Sequence, residues 1–321
     1  MCMRKQVTSS ILMIRPASFK FNEQTASNNY YQKVLDGLSR DNIQSMALEE
    51  FDLMVGKLRA VGVEVIVIED DNAEEKPDAI FPNNWISFHM DGKVGIYPMY
   101  AVNRRLERRK DIIQILKETY HFQIEEILNF TGYEKENKFL ESTGSMVLDR
   151  VNQVAYAALS NRTNEEALVD FCQKFGYLPL SFNAFQTVGG ERRHIYHTNV
   201  MMCVGEQFVV ICADAIDDIK ERNKVIDSLT QSGHKFIYLS EDQNQRFAGN
   251  MLQVQNREKK NFLVMSDSAF SSLNSQQKDT INKYCQIIHT NLDVIEACGG
   301  GSARCMMAEI FLPEKDTPAA I

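Results

Sequence analysis

Near the end of the chain, the run Gly299-Gly300-Gly301-Ser302-Ala303-Arg304-Cys305-Met306 brings together a glycine approach, one arginine and a thiol. Glycine adopts backbone angles closed to other residues and lets the chain pass close to a ligand, while a neighbouring guanidinium favours thiolate over thiol. A nucleophilic cysteine wants both. A lone thiol in such a place is more often a buried residue of a final strand, so the reading rests on what else the chain offers. Four other segments set polar side chains against apolar strands, where burial demands partners or a purpose. The first, Phe139 to Met146, puts the carboxylate of Glu141 before a small-residue turn; its ordinary role there would be a cap or a surface group. The second, His194 to Met202, reads as extended chain with His197 and Asn199 on one face. The third, Pro77 to Trp85, carries Asp78 and the adjacent amides Asn83 and Asn84, which alone could be turn formers. The fourth holds Asn22, with Arg15-Pro16 just upstream. A thiol nucleophile, an imidazole acid/base and a carboxylate suffice for attack on a planar carbon bonded to nitrogen.

Elements must position these groups. Short apolar strands recur at Ile11 to Ile14, Val63 to Ile68, Trp85 to His89, Val94 to Tyr97, Ser145 to Asp149, Val154 to Ala157, Thr198 to Val204 and Phe208 to Cys212. Helical periodicity appears at Met46 to Val61, Arg104 to Thr119, Asn164 to Phe175, Ala215 to Ser232 and Ser275 to Ile288, with Asn164 and Ser275 suited to N-caps. Some strand pairs are close enough for hairpins, as across Met90-Asp91-Gly92-Lys93. The order hairpin, helix, strand repeats, which predicts α/β modules around a shared centre rather than a doubly wound parallel sheet.

The 321 residues are 44% apolar and 24% charged, which fits an ordinary globular chain, and no linker or composition break divides them. One catalytic domain over residues 1–321 is expected. The net charge of −8 argues against a nucleic-acid partner. The basic cluster of Arg104, Arg105, Arg108, Arg109 and Lys110 reads mainly as a solvated helix face. The seven cysteines lack CxxC pairs and the six histidines lack HxxxH or HExxH spacing, so no metal is expected. No GxGxxG or Walker sequence marks a cofactor site, and none is expected. The apolar run Ile11 to Ile14 is too short for a signal peptide or membrane span, and the scattered thiols suit a reducing compartment. The expectation is a cytoplasmic protein with a small-molecule substrate and no membrane partner; homo-oligomerisation is left open.

In order and local context, Glu141 with its small-residue turn, His197-Thr198-Asn199 and Gly300-Gly301-Ser302-Ala303-Arg304-Cys305 resemble the motifs of the guanidino-group-modifying superfamily. That superfamily includes arginine deiminases, dimethylarginine dimethylaminohydrolases and amidinotransferases. Phe81-Pro82-Asn83-Asn84-Trp85, Arg15-Pro16 and Asn22 are most similar to its bacterial citrulline-utilisation branch. The resemblance covers most of the chain. It implies an α/β propeller, the pentein fold: a pseudo-fivefold ring of ββαβ modules with the active site in the central channel. It also implies that Cys305 attacks the guanidinium or ureido carbon, His197 relays protons and Glu141 bonds substrate nitrogens.

One departure bears on the substrate. Arginine deiminases have aspartate at the positions matching Asn84 and Asn199. Paired carboxylates suit a cationic guanidinium, whereas an amide offers donor and acceptor without charge and can match a neutral ureido group. The expected reaction is hydrolysis of citrulline to ornithine, ammonia and carbon dioxide through a carbamoyl thioester on Cys305. Asp78, with Glu141, would supply charge if the substrate were arginine. An arginine or N-acylarginine dihydrolase or deiminase is the alternative, followed by an amidinotransferase and by a non-catalytic sensor of arginine-like metabolites. For the substrate carboxylate, Arg15, Arg104, Arg192 and Arg193 are available, with Arg193 and Arg104 foremost. Asn83 joins the amides expected near the substrate, and Asn22 is expected in an entrance loop.

Overall fold

The computed structural model describes residues 4–71 and 74–314; of the seven cysteines, Cys2 lies outside them. Five three-stranded sheets organise the chain, each joining an antiparallel pair to a third, parallel strand. In one of them Ile86–Phe88 pairs with Lys93–Ile96 in the register Ile86↔Ile96, and the helix Lys110–Glu118 leads to the parallel strand Glu126–Asn129. The pattern recurs in Val147–Asp149, Val154–Ala158, Leu178–Phe182, and in Met202–Val204, Phe208–Ile211, Lys235–Tyr238. It recurs again in Leu252–Gln255, Asn261–Ser266, Gln286–Thr290. The fifth sheet is built from both ends of the chain, because Ala308–Ile310 runs antiparallel to Ser10–Arg15, which pairs in parallel with Glu64–Glu69. The α/β class and the hairpin, helix, strand order are as expected. A sixth, two-stranded ribbon of Phe185–Val188 and Glu191–His194 projects from this frame.

Helices form where an apolar stripe meets a capped start. In Glu165–Phe175, Ala167, Leu168, Phe171, Cys172 and Phe175 are buried together, the Asn164 side chain accepts from the backbone of Glu166 and Ala167, and Gly176 closes the helix in the left-handed region. Several boundaries depart from the sequence reading. The Arg104 to Thr119 stretch breaks into a 3-10 turn, Asn103–Glu107, and the helix Lys110–Glu118, because Arg104 and Glu107 turn inward and Arg109 is extended. Asp218 caps Ile219–Gln231, so that helix starts later than Ala215. The Ser275 helix stops at Asn282, its N-cap is Asn274, and the apolar residues that extended the period belong to the strand Gln286–Thr290. Thr198–Val200 is a 3-10 turn, and the strand begins only at Met202.

Among the described residues no helix is long and apolar enough to cross a membrane, and no cluster of His, Cys, Asp or Glu could hold a metal ion. The six described cysteines are free thiols.

Candidate active site

The turns that precede the first strands of successive sheets deliver the polar groups. Pro82–Asn84 is a 3-10 turn before Ile86–Phe88, Ser142–Ser145 a single helical turn before Val147–Asp149, and Thr198–Val200 the turn before Met202–Val204. They pack together, so Asn84, Glu141, His197 and Asn199 reach one buried place. Gly144 allows the approach: a Cβ there would stand 2.3 Å from the Asn84 Nδ2 and 2.9 Å from the His197 Nδ1. The glycine run behind Cys305 is shaped similarly. Gly300 has φ +62°, and a Cβ on it would lie 2.4 Å from the amide of Asn29.

The pocket is lined by Asp78, Asn84, Arg104, Arg162, His197 and Cys305, among others, and holds about 10 Å³, room for roughly one water. His197 Nε2 lies 2.7 Å from Glu141 Oε2. Burial pushes the Glu141 carboxyl up, but Arg162, the bond to His197 and Arg104 outweigh it and hold its pKa at about 2. The carboxylate can only accept, so Nε2 carries the proton and the lone pair of the neutral ring falls on Nδ1. Burial lowers the imidazole pKa to about 4; the attraction of Glu141 opposes this, while Arg162 and Arg104 reinforce it. At neutral pH His197 is therefore an uncharged base oriented by an ionised glutamate. The other oxygen of Glu141 accepts from the backbone N–H of Tyr100 at 2.9 Å.

Cys305 is buried, and burial raises its thiol pKa above the ordinary range despite opposing hydrogen bonds and Arg304. The sequence reading set Arg304 beside the thiol as its activator. Its guanidinium instead donates to the Met307 carbonyl and to Glu309, each at 2.8 Å, and so is held by the strand that follows. The groups that do face the sulfur are amides. Asn250 Nδ2 lies 3.2 Å from Sγ and Asn199 Nδ2 lies 3.7 Å from it.

Asn84 is fixed from one side: Arg104 Nη1 donates to its Oδ1 at 3.0 Å, and Nδ2 has no hydrogen-bond partner. Arginine can only donate, so the amide cannot be flipped without losing that bond. Asp78 Oδ2 accepts from Asn22 Nδ2 at 2.8 Å, while its Oδ1 has no partner. Burial pushes the Asp78 carboxyl above the usual range, with Arg104 opposing. Asn83 is fully buried with neither amide atom bonded, and it does not line the pocket. Asn22 caps the turn Glu23–Ala26 and is buried, rather than lying in an open loop.

The arginines sort differently from expectation. Arg193 is on the projecting ribbon, with its side chain 51% exposed and paired with Glu191, so the structure removes it from the site. Arg192 pairs with Asp217 and Glu241 on the same ribbon, and Arg15 pairs with Asp52 at the surface. Arg104 is in the pocket, but its Nε and Nη2 form a two-pronged pair with Glu107 at 2.8 and 2.9 Å. Its guanidinium therefore orients Asn84 rather than presenting an open fork. Sequence reasoning missed Arg162, which is buried, stacks on the Tyr196 ring, donates to Asn28 and lies 3.6 Å from Glu141. It also missed Asn29 and Asn250. The only sequence signal for Arg162 is a charged residue in the polar turn directly after the apolar strand Val154–Ala158.

The profile of the eukaryotic N,N dimethylarginine dimethylhydrolase family matches residues 15–312. The chain belongs to this family. The activity of that family is hydrolysis at a guanidino group. Among solved structures, ArgZ, an arginine dihydrolase from the ornithine–ammonia cycle in cyanobacteria, is similar with a TM-score of 0.70 at 16% identity, covering 96% of this chain and 41% of that one. The chain therefore spans about two fifths of that protein's length. The N-terminal domain of ArgZ covalently bound to a reaction intermediate gives a TM-score of 0.69 at 17% identity, with 95% and 99% covered. A dimethylarginine dimethylaminohydrolase adduct with S-methyl-L-thiocitrulline gives 0.60 at 14% identity, with 96% and 100% covered. These likenesses extend the shared fold over nearly the whole chain. A comparison with curated protein sequences gave no match.

Proposed function

We propose that the chain hydrolyses the ureido group of citrulline, giving ornithine, ammonia and carbon dioxide. The observation that carries this reading is the free N–H₂ of Asn84 beside His197, fixed in that orientation by Arg104. A guanidinium presents only donors, whereas a ureido oxygen accepts and would satisfy this buried amide. In the proposed reaction His197 Nδ1 takes the Cys305 proton and the sulfur adds to the ureido carbon. Asn84 then donates to the oxygen as it gains charge. His197 returns the proton to the departing ammonia, leaving a thiocarbamate on Cys305. Water, deprotonated by His197, adds to that carbon; the C–S bond breaks, and the carbamate released falls to ornithine and carbon dioxide. Asn250 and Asn199 donate to the sulfur while it is anionic, and Glu141 keeps His197 oriented.

The pocket must widen before an amino acid enters. The segment across it is tied by Asn22 to Asp78, by Asn28 to Arg162 and by Asn29 to the carbonyls of Gly299 and Gly300. We take residues 1–321 as one catalytic unit and its five modules as a pseudo-fivefold propeller. In support of this, Ala308–Ile310 packs on Ile86–Phe88, Val147–Asp149 on Met202–Val204, and the latter on Leu252–Gln255, so first strands meet around a centre.

A second reading, arginine dihydrolysis, is favoured by one specific observation: Asp78 Oδ1 is a buried, unpartnered acceptor in the same pocket, suited to a guanidinium N–H. Incubation with citrulline, arginine and N-succinylarginine separately, with product identification by mass spectrometry and Cys305→Ser as the blank, separates the two. Ornithine from citrulline alone supports the proposal. Ornithine or its acyl derivative from an arginine supports the second reading, and citrulline as the end product from arginine refutes both.

A further inference from the structure

A cleft of about 400 Å³ lies outside the active pocket, walled by Trp85, Ile96, Ile113 and Ile127. That volume is within the range of small-molecule sites, roughly 300–1,000 Å³. Four cations, Arg105, Arg108, Arg109 and Lys110, also line it, and no carboxylate does. Glu134 serves both Arg105 and Arg108, so one guanidinium charge there is not neutralised. Arg109 pairs with Asp111 and lies 3.7 Å from Asp71 and 4.0 Å from Asp70, carboxylates that Lys76 also shares, and Lys110 has no ion-pair or hydrogen-bond partner among the described residues. Apolar walls under an excess of positive charge suit a ligand with an apolar body and one anionic head. The indole N–H of Trp85 is buried without a hydrogen-bond partner, and Ile127 is 49% exposed.

We propose that this cleft binds a small amphipathic carboxylate and that its occupancy is felt in the active pocket. The two cavities share their backbone. Asn84 lines one and Trp85 the other; in the turn Asn103–Glu107, Arg104 lines the active pocket and Arg105 the cleft. A ligand that shifts Trp85 or Arg105 therefore acts on residues one peptide away from the amide and the guanidinium that define the catalytic pocket. This inference does not depend on which substrate is hydrolysed.

Trp85 is the sole tryptophan of the chain, so the emission comes from one residue on the wall of this cleft. The full chain is titrated with decanoate, decylammonium and decanol below their micelle concentrations. The expected result is a saturable change in emission with decanoate that weakens with salt and is absent with decylammonium. Decanol should bind at least about threefold more weakly, the scale of one exposed charge contact. Lys110→Glu places an acidic residue in a helical first turn, where it is favourable, so folding is kept; it should weaken decanoate by roughly threefold to tenfold. At saturation, decanoate should change the rate at which iodoacetamide alkylates Cys305. No saturable change, or equal binding of decanoate and decylammonium, overturns the site; an unchanged alkylation rate overturns its link to the active pocket.

Discussion

Asn84→Asp tests the chemical logic of the pocket with almost no change in shape. The carboxylate still accepts from Arg104 Nη1, now 3.0 Å from the amide oxygen, and it loses only the free N–H₂ donor. Removing one donor to a developing oxyanion costs about 10²–10³ in kcat, or roughly 2.7–4 kcal/mol. For a guanidinium the same change adds an acceptor with charge, and a charged hydrogen bond contributes about 1.5–3 kcal/mol, or roughly tenfold to a hundredfold. The ratio of kcat/KM for citrulline over arginine should therefore fall by about 10³–10⁵. The assay is ammonia release from each substrate by wild type and variant, with circular dichroism to check folding. A ratio unchanged within about threefold, well below the smallest effect of either term, would mean that the Asn84 amide does not meet the reacting group.

Other expectations follow from the same geometry. His197→Ala should lower kcat by about two to four orders of magnitude, the usual contribution of a general acid/base, and near-normal turnover would remove the imidazole from the mechanism. Wild-type Cys305 should alkylate slowly at neutral pH and faster as pH rises, since burial holds its thiol above the ordinary range. Asn250→Ala removes an N–H that stabilises the thiolate, so the alkaline limb of that alkylation profile should move up by roughly one to two pH units. Glu296 is buried, and burial raises its pKa to about 7 despite its bonds to Ser266 and Ser302. A folded carboxyl whose pKa exceeds its unfolded value binds more protons in the native state, so stability falls as pH rises through that window and the loss is complete above the folded pKa. Glu296→Gln should remove on the order of 3 kcal/mol of that loss, read as a smaller difference between urea midpoints at about pH 5 and about pH 7.5. Glu107, also raised to about 7 by burial against the pull of Arg104, adds a slope of the same sign, so the variant should flatten rather than abolish the trend.

What the sequence made legible was local chemistry. Cys305, His197 and Glu141 announce themselves by type and by the small residues around them, and the turns that carry Glu141 and His197 are next to the strands that bury them. Asn84 and Asn199 were legible for the same reason. Arg162 was not, because it is defined by long-range contacts: it meets Asn28, 134 residues away, the ring of Tyr196 and the carboxylate of Glu141. Asn250 was silent for a similar reason, since its bonds run to Asn199, Cys305 and the backbone of Arg304. Arg193 misled because charge alone does not say which way a hairpin points. The closing strand Ala308–Ile310, which completes the sheet of Ser10–Arg15, is a pairing between opposite ends of the chain that no local pattern carries.

The central claim is that Cys305 forms a covalent bond to the carbon being hydrolysed. The most direct measurement is acid quenching of the protein during turnover of citrulline labelled with heavy carbon at the ureido position, followed by peptide mass spectrometry. The account predicts an adduct on Cys305 that retains the label, is lost on further hydrolysis and is absent from Cys305→Ser. Steady turnover with no labelled adduct on any quench, or with the label on another cysteine, would contradict it.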